Sequence, residues 1–110
     1  MARAKFQTLT EQMFYILLCL KEECYGMDIM EKVSTRTEGR VAVGPGTLYN
    51  LLDQFLEAEM IRETKAEGRR RSYILTEKGH EVLQREVRRL NKQLADYTAS
   101  FGEESSWERT

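Results

Sequence analysis

Apolar residues recur at helical spacing in four stretches of this 110-residue chain, and a hairpin pattern separates the third stretch from the fourth. The first stretch opens at Thr8, because Thr8-Leu9-Thr10-Glu11 has the spacing of a capping box. Leu9, Met13, Ile16, Leu17 and Leu20 follow at three- and four-residue steps, which predicts one buried helix face. Gly26 interrupts the pattern. Met27, Met30 and Val33 then mark a second, shorter helix that ends in the polar run Ser34 to Arg40. Val41-Ala42-Val43 predicts a brief strand, cut off by Gly44-Pro45-Gly46. The single proline suits a helix start. Beyond it Leu48, Leu51, Leu52, Phe55 and Leu56 form the inner face of a third helix, with Thr47, Asn50, Asp53 and Gln54 outside.

Ile61 to Lys65 and Arg70 to Leu75, joined by Ala66-Glu67-Gly68-Arg69, read as a two-stranded hairpin. Thr76 is an acceptable N-cap, and Glu77 after it suits the positive end of the helix dipole. In the helix that follows, Leu83, Val87, Leu90, Leu94, Tyr97 and Phe101 keep the alternating four- and three-residue steps of a heptad seam. The predicted fold is mainly α with a small β-hairpin: a winged helix-turn-helix domain over residues 1–76, a long dimerisation helix over 77–101 and a flexible polar tail over 102–110. In such an arrangement the third helix enters a major groove and the hairpin, or wing, lies beside it.

Composition narrows the function. The chain is 41% hydrophobic and 32% charged with a net charge of −1, so it is expected to fold, and bulk positive charge does not explain its partner. Charge is unevenly placed. Residues 8–38 are acidic, whereas Arg62, Lys65, Arg69, Arg70, Arg71 and Lys78 outweigh Glu63, Glu67 and Glu77 within residues 61–79. With a Debye length of about 8 Å at physiological salt, a ligand at the second segment feels mainly that segment. No apolar run is long enough for a bilayer, and no signal core follows Arg3 and Lys5, so a cytoplasmic, membrane-independent protein is expected. Cys19 and Cys24 fall on different helix faces and are expected to stay reduced, Cys19 in the core and Cys24 the more exposed. One histidine and two cysteines cannot fill a structural zinc site, and no nucleophile–base pair can be assembled. Neither a catalytic site, a metal nor a cofactor is expected.

Two constellations point to DNA. Thr47 and Asn50 are short polar groups near a helix start that can reach base edges, and the Tyr49 hydroxyl can donate to a phosphate. By itself this hexapeptide, Pro45 to Asn50, reads more readily as an ordinary solvent-facing helix start with Tyr49 half packed. Three adjacent arginines, Arg69, Arg70 and Arg71, repel one another and are best explained by a polyanion, with Lys65 on the same hairpin; a charge cluster that blunts an exposed strand edge is the plainer alternative. The heptad seam predicts a homodimer, since a helix about 37 Å long overhangs so small a domain. A symmetric pair would set two third helices about 34 Å apart on a pseudo-palindrome. A protein–protein adaptor of the same fold, and a small-molecule or Cys24-based redox sensor, are the rival readings.

Taken together, Gly46-Thr47-Leu48-Tyr49, Leu56-Glu57, Gly68 to Tyr73 and Leu75 to His80 resemble the PadR family of bacterial transcriptional regulators, and Cys24-Tyr25-Gly26-Met27-Asp28-Ile29 resembles its junction between the first two helices. The likeness spans roughly residues 8–95, and the single last helix resembles the smaller subfamily. It implies a homodimeric winged-helix repressor released by a small effector, often aromatic or cationic. It also implies that Thr47, Tyr49 and Asn50 are recognition-helix contacts, that Arg69 to Arg71 belong to the wing, and that the last helix dimerises. Two positions depart from the pattern. Met60 stands at the place of the glycine that precedes the first wing strand, and Leu90 at that of a drug-stacking tryptophan, with Trp107 too far along to replace it.

Overall fold

The computed structural model describes residues 6–102; the polar tail beyond Gly102, Trp107 included, lies outside the described residues. The elements run α1 (Glu11–Cys19), β1 (Cys24–Tyr25), α2 (Gly26–Arg36), α3 (Pro45–Glu57), β2 (Ile61–Glu67), β3 (Arg70–Leu75) and α4 (Glu77–Phe101). The sheet is antiparallel in the order β1-β3-β2. This is a winged helix with a long C-terminal helix. Ile16, Leu17, Leu20, Ile29, Leu48, Leu52 and Phe55 make the centre of its core. No helix among the described residues is long and apolar enough to cross a membrane.

Three details differ from the sequence reading. The cap of α1 is Thr10 rather than Thr8; its side chain accepts from the Met13 N–H at 3.1 Å. The strand expected at Val41-Ala42-Val43 is absent, and the third strand is Cys24–Tyr25 instead. Val41 and Val43 are buried all the same. Their stretch of backbone, however, is held by side chains: Thr37 Oγ1 accepts from the Val41 N–H at 3.1 Å, and Gln12 Nε2 donates to the Ala42 carbonyl at 2.8 Å. Arg40 fastens the same loop to α1 through Glu11 at 2.5 Å. Finally, the cysteines exchange roles. Cys24 is buried in the sheet and Cys19 is only half-buried.

The exit from α3 explains how the chain turns into the wing. The Met60 N–H donates to the Phe55 carbonyl at 2.9 Å and the Glu59 N–H to the Leu56 carbonyl at 3.0 Å. These two bonds form a Schellman motif, whose left-handed position is normally glycine. Here that position is Glu59, at φ 63°, one residue before the place read from the sequence. Met60 itself is buried in the core. Its carbonyl accepts from the Thr76 N–H at 3.0 Å, and Thr76 Oγ1 donates to the Glu59 carbonyl at 2.7 Å. The start of α4 is thereby latched to the end of α3. Only glycine fits at position 79, because a Cβ there would lie 2.1 Å from the Met60 carbonyl oxygen.

Candidate nucleic-acid interface

Proline at the first turn and Gly44 as N-cap set the start of α3 without a side-chain cap. Leu48, Leu51, Leu52 and Phe55 turn inward, which leaves Thr47, Tyr49, Asn50 and Asp53 on the exposed side. Tyr49 is 44% exposed. Its ring passes close to Gly26: a Cβ at that glycine would lie 3.3 Å from both the Tyr49 and the Tyr73 rings. The missing side chain lets α2 approach α3 and the wing together.

The wing turns at Gly68 and Arg69, a tighter connection than the four residues read from sequence. Gly68 has φ 62°, as the first central residue of a type II′ turn requires. The register shifts between Glu63 and Lys65, so that Thr64 is bulged out of the ladder. Between α3 and the wing lies a cleft of about 330 Å³. Tyr49, Asp53, Tyr73, Gly26, Met27 and all three arginines, Arg69, Arg70 and Arg71, line it. Arg71 lies 3.6 Å from Glu63, an exposed pair of the kind that contributes about 0–1 kcal/mol and leaves the cation available. Arg70 stacks over the Tyr25 ring, 4.1 Å from its centroid. The fold therefore gathers Tyr49 with the wing arginines. Thr47 and Asn50 stay on the outer face of α3, and Lys65 lies outside the cleft, opposite Ser72.

Sequence reasoning missed the group that anchors the wing's base. Glu23, one of the acidic residues of the segment 8–38, accepts from Thr64 Oγ1 at 2.5 Å and from Ser72 Oγ at 3.3 Å. The bond from Thr64, aided by the charges of Lys65 and Arg62, holds its carboxyl below the usual carboxylate range. The bulge at Thr64 creates this contact, and no residue pattern announces a bulge.

Along α4 the heptad seam divides. Leu83 is buried in its own chain, together with Val82 and Glu86, which corrects its assignment to a face offered to a partner. Val87, Leu90, Leu94, Tyr97 and Phe101 remain exposed at 41–62%, and the last two rings lie 4.9 Å apart. Glu86, 3% exposed, pairs with Arg89 at 2.5 Å and receives the Leu9 backbone N–H. The Arg89 bond pulls its carboxyl below the usual range. A groove of about 710 Å³ runs beside this region, with apolar walls from Phe14, Leu18, Leu75, Leu83 and Val87.

The family model described as "Transcriptional regulator PadR-like family" matches residues 16–85, more than half of the chain. The chain belongs to the PadR-like family. Membership makes this a transcriptional regulator and a DNA-binding protein. Among solved structures, a PadR-like transcription factor from Bacteroides fragilis is 31% identical, with a TM-score of 0.64 over 81% of this chain and 87% of that one. A PadR family regulator from Eggerthella lenta is 23% identical, with a TM-score of 0.66 over 84% and 82%. The PcaV transcriptional regulator of Streptomyces coelicolor, solved with its natural ligand, shares the fold at 16% identity and a TM-score of 0.66, over 89% and 67%. No curated protein sequence matches this chain. The cleft between α3 and the wing is where Tyr49 and the three wing arginines come together.

Proposed function

We propose that this PadR-like protein is a homodimeric repressor that binds a pseudo-palindromic operator and is released by a small effector. The observation that carries the reading is the convergence of Tyr49, Arg69, Arg70 and Arg71 on one cleft beside an exposed helix face holding Thr47 and Asn50. On this reading the arginines and Lys65 meet phosphates, which gives affinity, while Thr47 and Asn50 meet base edges, which gives specificity. Residues 1–76 supply the DNA-binding domain and residues 77–101 the dimerisation helix, with Val87, Leu90, Leu94, Tyr97 and Phe101 forming the contact between copies. The exposed apolar stripe supports that assignment: a row of five large hydrophobic side chains on one helix marks an interface more often than a monomer surface. The groove walled by Phe14, Leu18 and Leu83 supports an aromatic effector, with Lys21, Glu77 and Arg88 as the charged groups of its lining.

Selection of bound fragments from the host genome, followed by a salt titration, tests the reading. Replacing Arg69, Arg70 and Arg71 together by alanine should weaken binding to every sequence and flatten the salt slope by up to about 3 units per subunit. Thr47 and Asn50 variants should instead change preference among sequences, by about 1–3 kcal/mol per lost base contact. Leu90→Asp should give monomers in light scattering and weaken operator binding. Failure to retain any duplex, with a protein captured instead, would turn the reading toward an adaptor.

A further inference from the structure

Tyr25 stands between two residues of opposite charge at the tip of the wing. Glu67 and Arg70 face each other directly across the β2–β3 ladder, the arrangement in which opposite charges pair. Yet among the described residues these two form no ion pair; Arg71 with Glu63 is the pair found on this hairpin. Both engage Tyr25 instead. Its ring lies under the Arg70 guanidinium, 4.1 Å from centroid to Cζ, and its hydroxyl donates to Glu67 Oε1 at 3.5 Å. Tyr25 is held in place by the short strand β1, which sets it opposite Ser72 on the other edge of β3. Stacking occupies a face of the guanidinium and leaves its in-plane N–H groups free. A bidentate bond to Glu67 would use two of those N–H groups and cancel the charge.

We infer that Tyr25 is a positioning residue for DNA binding: it keeps Arg70 from collapsing onto Glu67 and presents the guanidinium edge, at the cleft shared with Tyr49, to a backbone phosphate. The inference rests on the reading that the wing meets DNA. It assigns to β1, a strand of two residues, the task of keeping one wing cation unneutralised.

The test is the salt dependence of binding to a labelled duplex of arbitrary sequence, long enough for two subunits. Arg70→Ala should lower the slope by about 0.9 per subunit, the value of one phosphate contact. Tyr25→Leu should lower it equally, whereas Tyr25→Phe, which keeps the ring face, should retain the wild-type slope. Combining Tyr25→Leu with Glu67→Gln should restore the slope, because a neutral amide no longer competes for Arg70. A Tyr25 that merely supported the fold would not be rescued from position 67. In NMR spectra, the Arg70 side-chain protons should show a ring-current shift in the wild type and in Tyr25→Phe. An Arg70→Ala variant with unaltered binding overturns the wing reading and this inference with it. Loss of slope in Arg70→Ala, but an unchanged slope in Tyr25→Leu or no rescue by Glu67→Gln, overturns the inference about Tyr25 alone.

Discussion

The two halves of α4 belong to one continuous helix and lead opposite lives. From Glu77 to Glu86 the helix is part of the domain: Gly79, Val82, Leu83 and Glu86 are buried, and Thr76 ties its first turn to the end of α3. From Val87 to Phe101 the seam continues at unchanged three- and four-residue steps, but its side chains are exposed. A heptad records that a helix face is apolar. It carries no information about which surface covers that face. The first half meets α1 because the α3–β2 turn delivers it there, and the second half runs past the edge of a domain that has no more core to offer.

Substitutions can sharpen this contrast. The largest effect is expected at Gly79→Ala. The added methyl would meet the Met60 carbonyl at 2.1 Å, backbone that cannot swing aside, so the loss should reach about 3 kcal/mol, the upper end of overpacking costs. Denaturant unfolding would measure it, and the same glycine-to-alanine change in an exposed helix interior would stabilise by about 1 kcal/mol instead. Next comes the pair Leu83→Ala and Leu94→Ala. Leu83 is 7% exposed and should cost about 2–3 kcal/mol in any oligomeric state. Leu94, at 62%, should leave the stability of an isolated subunit within about 0.5 kcal/mol and act only on association. Equal losses at the two sites in a monomeric background would erase the distinction between the halves.

Glu86 marks the boundary and gives a pH signature. Its folded carboxyl titrates below the usual glutamate range because of Arg89. Its contribution is therefore complete above that range and is lost as pH falls through it toward the lower folded value. Glu86→Gln should flatten the acid limb of the stability curve while Glu23, shifted the same way by Thr64, continues to contribute there. An acid limb identical to that of the wild type would remove Glu86 from the account. A smaller effect than those at Gly79 and Leu83 is expected at the α3 exit that aims α4. Glu59 holds φ 63° without being glycine, so Glu59→Gly should raise stability by about 1 kcal/mol, seen as a higher thermal midpoint.

Much of this molecule was legible before any coordinates. The inner faces of α1 and α3, the caps around Pro45 and Thr76, the hairpin and the length of α4 all follow from periodicity and local backbone preference, which neighbouring residues in the chain decide. The candidate contacts Thr47, Tyr49, Asn50 and Arg69 to Arg71 were readable for the same reason: polar groups at a helix start and cations at a turn are local patterns. The strand at Cys24–Tyr25 was not readable. Two residues carry no periodicity, and they become a strand only because β3 arrives alongside. Val41 and Val43 looked more like a strand and are not one, since Thr37 and Gln12 reach their backbone first.

The chain alone thus determined which segments are helices, where the wing turns and where positive charge is concentrated, because each depends on residues within a few positions of one another. Tertiary structure decided which apolar faces are spent on the core, which residue takes the left-handed turn out of α3, and how Glu23 and Tyr25 grip the wing from 41 to 49 positions away. Those choices depend on what surface lies opposite a side chain, and only the assembled fold brings that surface into place.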